Sequence, residues 1–132
     1  MTTIRAWFAL LRTRLRLARV RGDRLLALTA VPSRSISAAE AARCRELAAR
    51  IARASRFVPR SRCLDRAVLL VETARRESLP VRLRLGVRRD AGPFRAHAWV
   101  EDAAGEPYGD AREALAGFAP LERDPTALEF GR

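Results

Sequence analysis

Apolar and polar positions alternate along this chain with two different periods. Through residues 2–29 the spacing is helical: Ile4, Phe8, Leu11, Leu15 and Val20 fall on one side, with arginines elsewhere. Gly22-Asp23 divides this stretch into two helices, and "VPSRS" follows as a loop. Ser37 precedes an alanine-rich periodic run and has Glu40 three residues on, the signature of a capping box, so a helix should run from there to about Ser55. After the break "VPRSR", Ser61 is placed to cap a further helix over about 62–78, with Leu64, Val68, Leu69 and Val71 as its apolar face.

The period then drops to two. Val81, Leu83, Leu85 and Val87 point one way and Arg82, Arg84 and Arg88 the other, which predicts a strand. "RDAG" turns the chain into a second strand, "FRAHAWVED". There Phe94, Ala96, Ala98 and Val100 share one face, and Arg95, His97, Trp99 and Glu101 the other. "DAAGE" makes the next turn and "EPYGD" a short third strand; the tail reads as irregular or weakly helical. Helices followed by hairpin-linked strands give an α+β protein. Residues 1–57 form a helical part of the same domain as a core over 58–132.

Composition narrows the class. A chain of 132 residues with 48% hydrophobic content is long enough for one domain with a real core. No apolar run reaches the roughly 18–20 residues of a membrane span, and "AWFALL" is too short for a signal-peptide core, so a cytoplasmic protein is expected. The formal charge of +11 comes entirely from arginine, a pattern that fits the coding bias of a GC-rich genome better than selection for a partner. No nucleic-acid-binding motif accompanies it, so no nucleic-acid partner is expected. Trp7 and Phe8, beside arginines, are expected to pack on the core rather than touch a membrane. The arginine face of the first strand is expected to be solvated, with contact to an acidic peptide by strand addition as the sharper reading.

Two cysteines, with no CxxC or Cys/His cluster, point to no disulfide framework, no metal and no cofactor. Cys44 lies inside a helix and reads as structural. Cys63 lies in the first turn of its helix, where unpaired N–H groups and neighbouring Arg60 and Arg62 favour a thiolate, the nucleophilic form of a side chain whose ordinary pKa is about 8.5. His97, the only histidine, stands on the second strand, and Asp110 closes the third. A carboxylate beside the imidazole fixes its tautomer and leaves the other ring nitrogen for the thiol. A lone histidine on a strand is more often a packing residue than a catalyst. The reading is therefore carried by the order Cys63, His97, Asp110 on helix, strand and next strand, with Asp102 the competing carboxylate.

The stretch 61–110 resembles a known family. Cys63-Leu64 followed by an apolar helix, the strand Pro80–Val87, "FRAHAWVE" over Phe94–Glu101, and then Gly105, Pro107 and Asp110 are similar to the transglutaminase-like leader peptidases of lasso-peptide biosynthesis. The resemblance implies a transglutaminase-like, papain-like core with the catalytic helix packed on a small antiparallel sheet. It implies a cysteine peptidase that cuts the leader from a ribosomally made precursor, with Cys63 as nucleophile, His97 as base and acid, and Asp110 as orienting carboxylate. The Cys63 backbone N–H is a natural oxyanion donor. The partners implied are the precursor's leader region, a separate leader-binding protein, and a lasso cyclase acting on the product. An acyltransferase using the same three residues and a non-enzymatic basic adaptor are the competing readings.

Overall fold

The computed structural model describes residues 2–17, 22–58, 62–88 and 95–121. Its elements in chain order are α1 (Thr3–Leu17), α2 (Gly22–Leu28), α3 (Ala38–Ser55), α4 (Cys63–Arg76), β1 (Val81–Arg88), β2 (Arg95–Asp102), β3 (Pro107–Tyr108), α5 (Arg112–Leu115) and β4 (Ala119–Pro120). Helices α1 and α3 pack on one side of α4, and the other side of α4 lies on β2 and β1. The sheet is antiparallel in the order β3-β2-β1-β4.

The capping box at α3 forms as the sequence predicts: the Ser37 hydroxyl accepts from the Glu40 N–H at 3.2 Å, and the Glu40 carboxylate accepts from the Ser37 N–H at 3.1 Å. Arg34 adds a two-pronged bond to the same carboxylate. That bond, with the Ser37 N–H behind it, holds the Glu40 carboxyl at about 2. The helix then buries one stripe, Ala41, Cys44, Leu47, Ala48, Ile51 and Ala54.

Helix α1 turns a different face inward from the one its spacing predicts. Ala6, Leu10 and Thr13 are buried, while Ile4 and Phe8 are 70% and 58% exposed. The chain is apolar on two sides here, and the side carrying the small Ala6 allows the closer approach. Trp7 is half-buried and donates its indole N–H to the Phe57 carbonyl at 3.0 Å, pinning α1 to the end of α3, while Phe8 lies edge-on against it in the open. Val20 and the Leu15 side chain lie outside the described residues. The helical stretch does divide, with Gly22 opening α2 rather than sitting in the break. Arg75 of α4 donates to the carbonyls of Ala27 and Leu28 and so caps α2.

The sheet follows from the alternation. Leu83 faces Val100 and Leu85 faces Ala98 across the β1–β2 ladder, and this apolar face joins the core beneath α4 with Val68, Val71 and Leu47. On the opposite face Arg84 pairs with Trp99 and Gly86 with His97. Arg82 and Arg84 are not a solvated face: both are mostly buried and bind Glu101. Arg82 donates to Glu101 Oε1 at 3.0 Å through Nη2, and Arg84 Nε makes an ion pair with the same oxygen at 3.2 Å without hydrogen-bond alignment. The Trp99 indole donates to Glu101 Oε2 at 3.3 Å. These two arginines of β1 thus form an internal ion-pair cluster with Glu101. The tail contains more structure than the sequence implies, since β4 pairs with β1 at Gly86 and Val87. The turn at 89–92 and Phe94 lie outside the described residues.

Gly86 is fixed by the ring opposite it. A Cβ there would stand 2.7 Å from two carbons of the Trp99 ring and 3.1 Å from the Ala119 carbonyl. Gly86→Ala should therefore destabilise the fold by about 1–3 kcal/mol, read as a lower midpoint in urea unfolding. An unchanged midpoint would mean that Trp99 does not lie across β1.

Candidate active site

Cys63 is the first residue of α4 and is half-buried. Arg62 occupies the cap position in extended backbone, but its own side chain does not cap. Asp65 does so from inside the helix: its carboxylate, 1% exposed, reaches back to accept the Arg62 N–H at 3.0 Å. The sequence offers no cue for this, because an arginine cap with an aspartate three residues on is not a capping-box pair. Ser61 and Arg60 lie outside the described residues, and α4 ends at Arg76 rather than Ser78, which has a left-handed φ of 60°.

His97 stands near the start of β2 on the face away from α4. Its ring stacks on Trp99, with centroids 6.1 Å apart and planes at 18°, and meets Phe118 at 5.3 Å. Asp110 approaches it: Asp110 Oδ1 is 3.4 Å from His97 Nε2, longer than a good hydrogen bond. Gly109 makes that approach possible. Its φ of +89° turns the chain sharply after Tyr108, a conformation that favours glycine.

Asp102, the competing carboxylate, is engaged elsewhere. Oδ1 accepts the N–H groups of Ala104 and Glu106 at 2.9 and 3.0 Å, and Oδ2 accepts the Tyr108 hydroxyl at 2.9 Å. Burial, and then the bond to Asp102, push the Tyr108 phenol well above its usual range, so it serves as a donor. Asp102 thus staples the hairpin from which Asp110 projects.

A cleft of about 280 Å³ opens between α3, α4 and the β2–β3 end of the sheet, and both Cys63 and Asp110 line it. His97 is not among its lining residues, and no hydrogen bond joins the Cys63 thiol to the His97 ring. Asp110 and Trp99 are therefore shared between the thiol's cleft and the imidazole. Among the described residues, no three of His, Cys, Asp and Glu gather as a metal site requires, and no helix is long and apolar enough to cross a membrane.

The two cysteines differ sharply. Burial, and then the negative charges of Glu77, Glu40 and Asp102, push the Cys44 thiol up to about 11. Iodoacetamide at neutral pH should therefore place one adduct on the folded protein, at Cys63, as peptide mapping will show. An adduct at Cys44 would mean that α3 opens readily.

A thiol at a helix start, a histidine on the strand that helix covers and a carboxylate delivered by the next hairpin are the residue types that cysteine-dependent acyl transfer uses. The family follows from a wider match: residues 7–123 fit the model of the transglutaminase-like superfamily, and the chain belongs to that superfamily, whose members are generally cysteine peptidases and acyltransferases. No curated protein and no solved structure matches the chain significantly.

Proposed function

We propose that the protein is a cysteine peptidase that removes the leader from a ribosomally synthesised lasso-peptide precursor. The observation that carries the chemistry is Asp110, which touches the His97 ring and lines the same cleft as Cys63 at the start of α4. The motif "FRAHAWVE" and its spacing to Cys63 support the leader-peptidase reading within the superfamily.

In this mechanism the Cys63 sulfur attacks the scissile carbonyl while His97 takes the thiol proton. The Cys63 N–H, at the open end of α4, donates to the oxyanion. His97 returns the proton to the departing amine, and water, activated by the same ring, releases the acyl-enzyme. The ring stacked on Trp99 must rotate toward the cleft for this, with Asp110 holding one nitrogen throughout; such contacts commonly tighten only when substrate binds. The N-terminal helices belong to the same domain as the core, a reading supported by the shared packing of α1, α3 and α4. A separate leader-binding protein presents the precursor in the cytoplasm, and the freed core passes to a cyclase.

Intact mass of the precursor after incubation with the protein and the leader-binding partner tests this. Leader and core masses should appear. An unchanged precursor with folded protein and bound partner would overturn the reading, and a core mass carrying an added amine would assign the site to acyl transfer instead.

A further inference from the structure

We propose that the outward face of α1 docks flat on an anionic lipid surface, with Ile4 and Phe8 entering the acyl boundary and Arg5 and Arg12 at the lipid phosphates. Ile4 and Phe8 stand four residues apart on one side of the helix, opposite the Ala6, Leu10 and Thr13 that pack inward. Half-buried Leu11 continues the stripe by one more turn. Phe57, 69% exposed just beyond α3, widens the same apolar surface, lining a shallow hollow together with Thr3, Ile4 and Trp7. Large apolar side chains left open side by side mark a contact surface, which scattered single ones do not.

The charge around the stripe selects the occupant. Residues 1–22 contain six arginines and no acidic residue, so six of the chain's net eleven positive charges fall there. Coding bias explains arginine in place of lysine, not the lack of carboxylates. Arg5 and Arg12 are exposed along one flank of the stripe, and Arg53 and Arg56 are exposed on the approach to Phe57. Among the described residues none of these four pairs with a carboxylate. A second copy of the chain fits badly, because a self-complementary contact would bring two such arginine-rich faces together. Phenylalanine and isoleucine on one side of a helix, with arginine along its flank, is the pattern of an interfacial helix. The inner side of α1 is held by α3 and α4. Only a flat stripe is free, and a headgroup layer meets it without a matching groove. Arginine stems are long enough to leave the guanidinium at phosphate level while the rings go deeper. The surface is independent of the Cys63 chemistry.

Co-sedimentation of the full chain with lipid vesicles tests this. Vesicles of equal parts phosphatidylcholine and phosphatidylglycerol should carry the protein down, and vesicles of phosphatidylcholine alone should not. A chain of this charge also adheres to anionic lipid by any face, so the apolar stripe is the deciding readout. Phe8→Ser, verified as folded, should weaken binding to the mixed vesicles at least about tenfold. Val31→Ser should leave it unchanged, because Val31 is as exposed as Phe8 but lies at the groove beside β1. Brominated acyl chains should quench Trp7, which flanks the stripe, while Trp99 stays buried in the fold. Equal binding by the wild type and folded Phe8→Ser would overturn the proposal, as adhesion by charge alone. Wild-type protein left in the supernatant with the mixed vesicles would also overturn it, and would pass the surface to an acidic protein partner.

Discussion

Cys63→Ala should lower peptide-bond cleavage by at least about 10⁴-fold and leave the fold in place. The size of the effect follows from the role: without the sulfur there is no acyl-enzyme, and the rest of the site supplies only binding and oxyanion stabilisation. The fold survives because Cys63 is half-buried at a helix start whose cap comes from Asp65, not from the thiol. The Arg62 N–H keeps its acceptor in the variant. Single-turnover kinetics on a peptide substrate, with circular dichroism as the control for folding, would check both halves. Substantial cleavage by a folded Cys63→Ala protein would mean that a different nucleophile acts.

The second large effect is expected at a residue that touches neither sulfur nor imidazole. Asp102→Ala strips the acceptors from two backbone N–H groups and the Tyr108 hydroxyl, all within the hairpin that carries Asp110. Hydrogen bonds to a charged group contribute about 1.5–3 kcal/mol each, and losses at one carboxylate do not add fully. A destabilisation of about 3 kcal/mol or more is expected in urea unfolding. Asp102→Asn should cost much less, because the amide oxygen can keep both N–H groups and the Tyr108 hydroxyl can turn to accept from the amide nitrogen. Cleavage by the folded fraction of Asp102→Ala should also fall, since Asp110 lies two residues past Tyr108. Equal stabilities for the two variants would mean that the hairpin does not depend on this carboxylate.

The helices and strands were legible where one local signal settled the matter. Ser37 and Glu40 mark the start of α3, and the strict alternation from Val81 to Val87 marks β1 and its buried face. Legibility failed where two local answers were equally good or where the decision was made at a distance. Helix α1 has two apolar sides, and only its packing on α3 selects Ala6 and Leu10 over Ile4 and Phe8. The start of α4 depends on a carboxylate reaching backward from Asp65, for which the sequence has no cue. Arg82 and Arg84 read as a solvated face because Glu101, which pairs with both, is nineteen and seventeen positions away on the other strand.

The sequence names Cys63, His97 and Asp110 as the candidate members of a site, and says less about how they are arranged. Alternation correctly put His97, Trp99 and Glu101 on one face of β2. It could not say that α4 would cover the other face, where Ala98 and Val100 supply the apolar surface that a helix buries. Spacing favours Asp110 and leaves Asp102 a weak competitor; in the structure Asp102 closes a hairpin and Asp110 approaches the imidazole.

The claim that His97 acts on Cys63 through a site completed by Asp110 is tested most directly by the rate of Cys63 alkylation. Iodoacetamide would be applied at neutral pH to the wild type, His97→Ala and Asp110→Asn, each verified as folded. The account predicts a rate about tenfold lower in His97→Ala and a smaller drop in Asp110→Asn. The same rate in all three would contradict it, leaving Cys63 as a solitary thiol and His97 as a ring that only packs on Trp99.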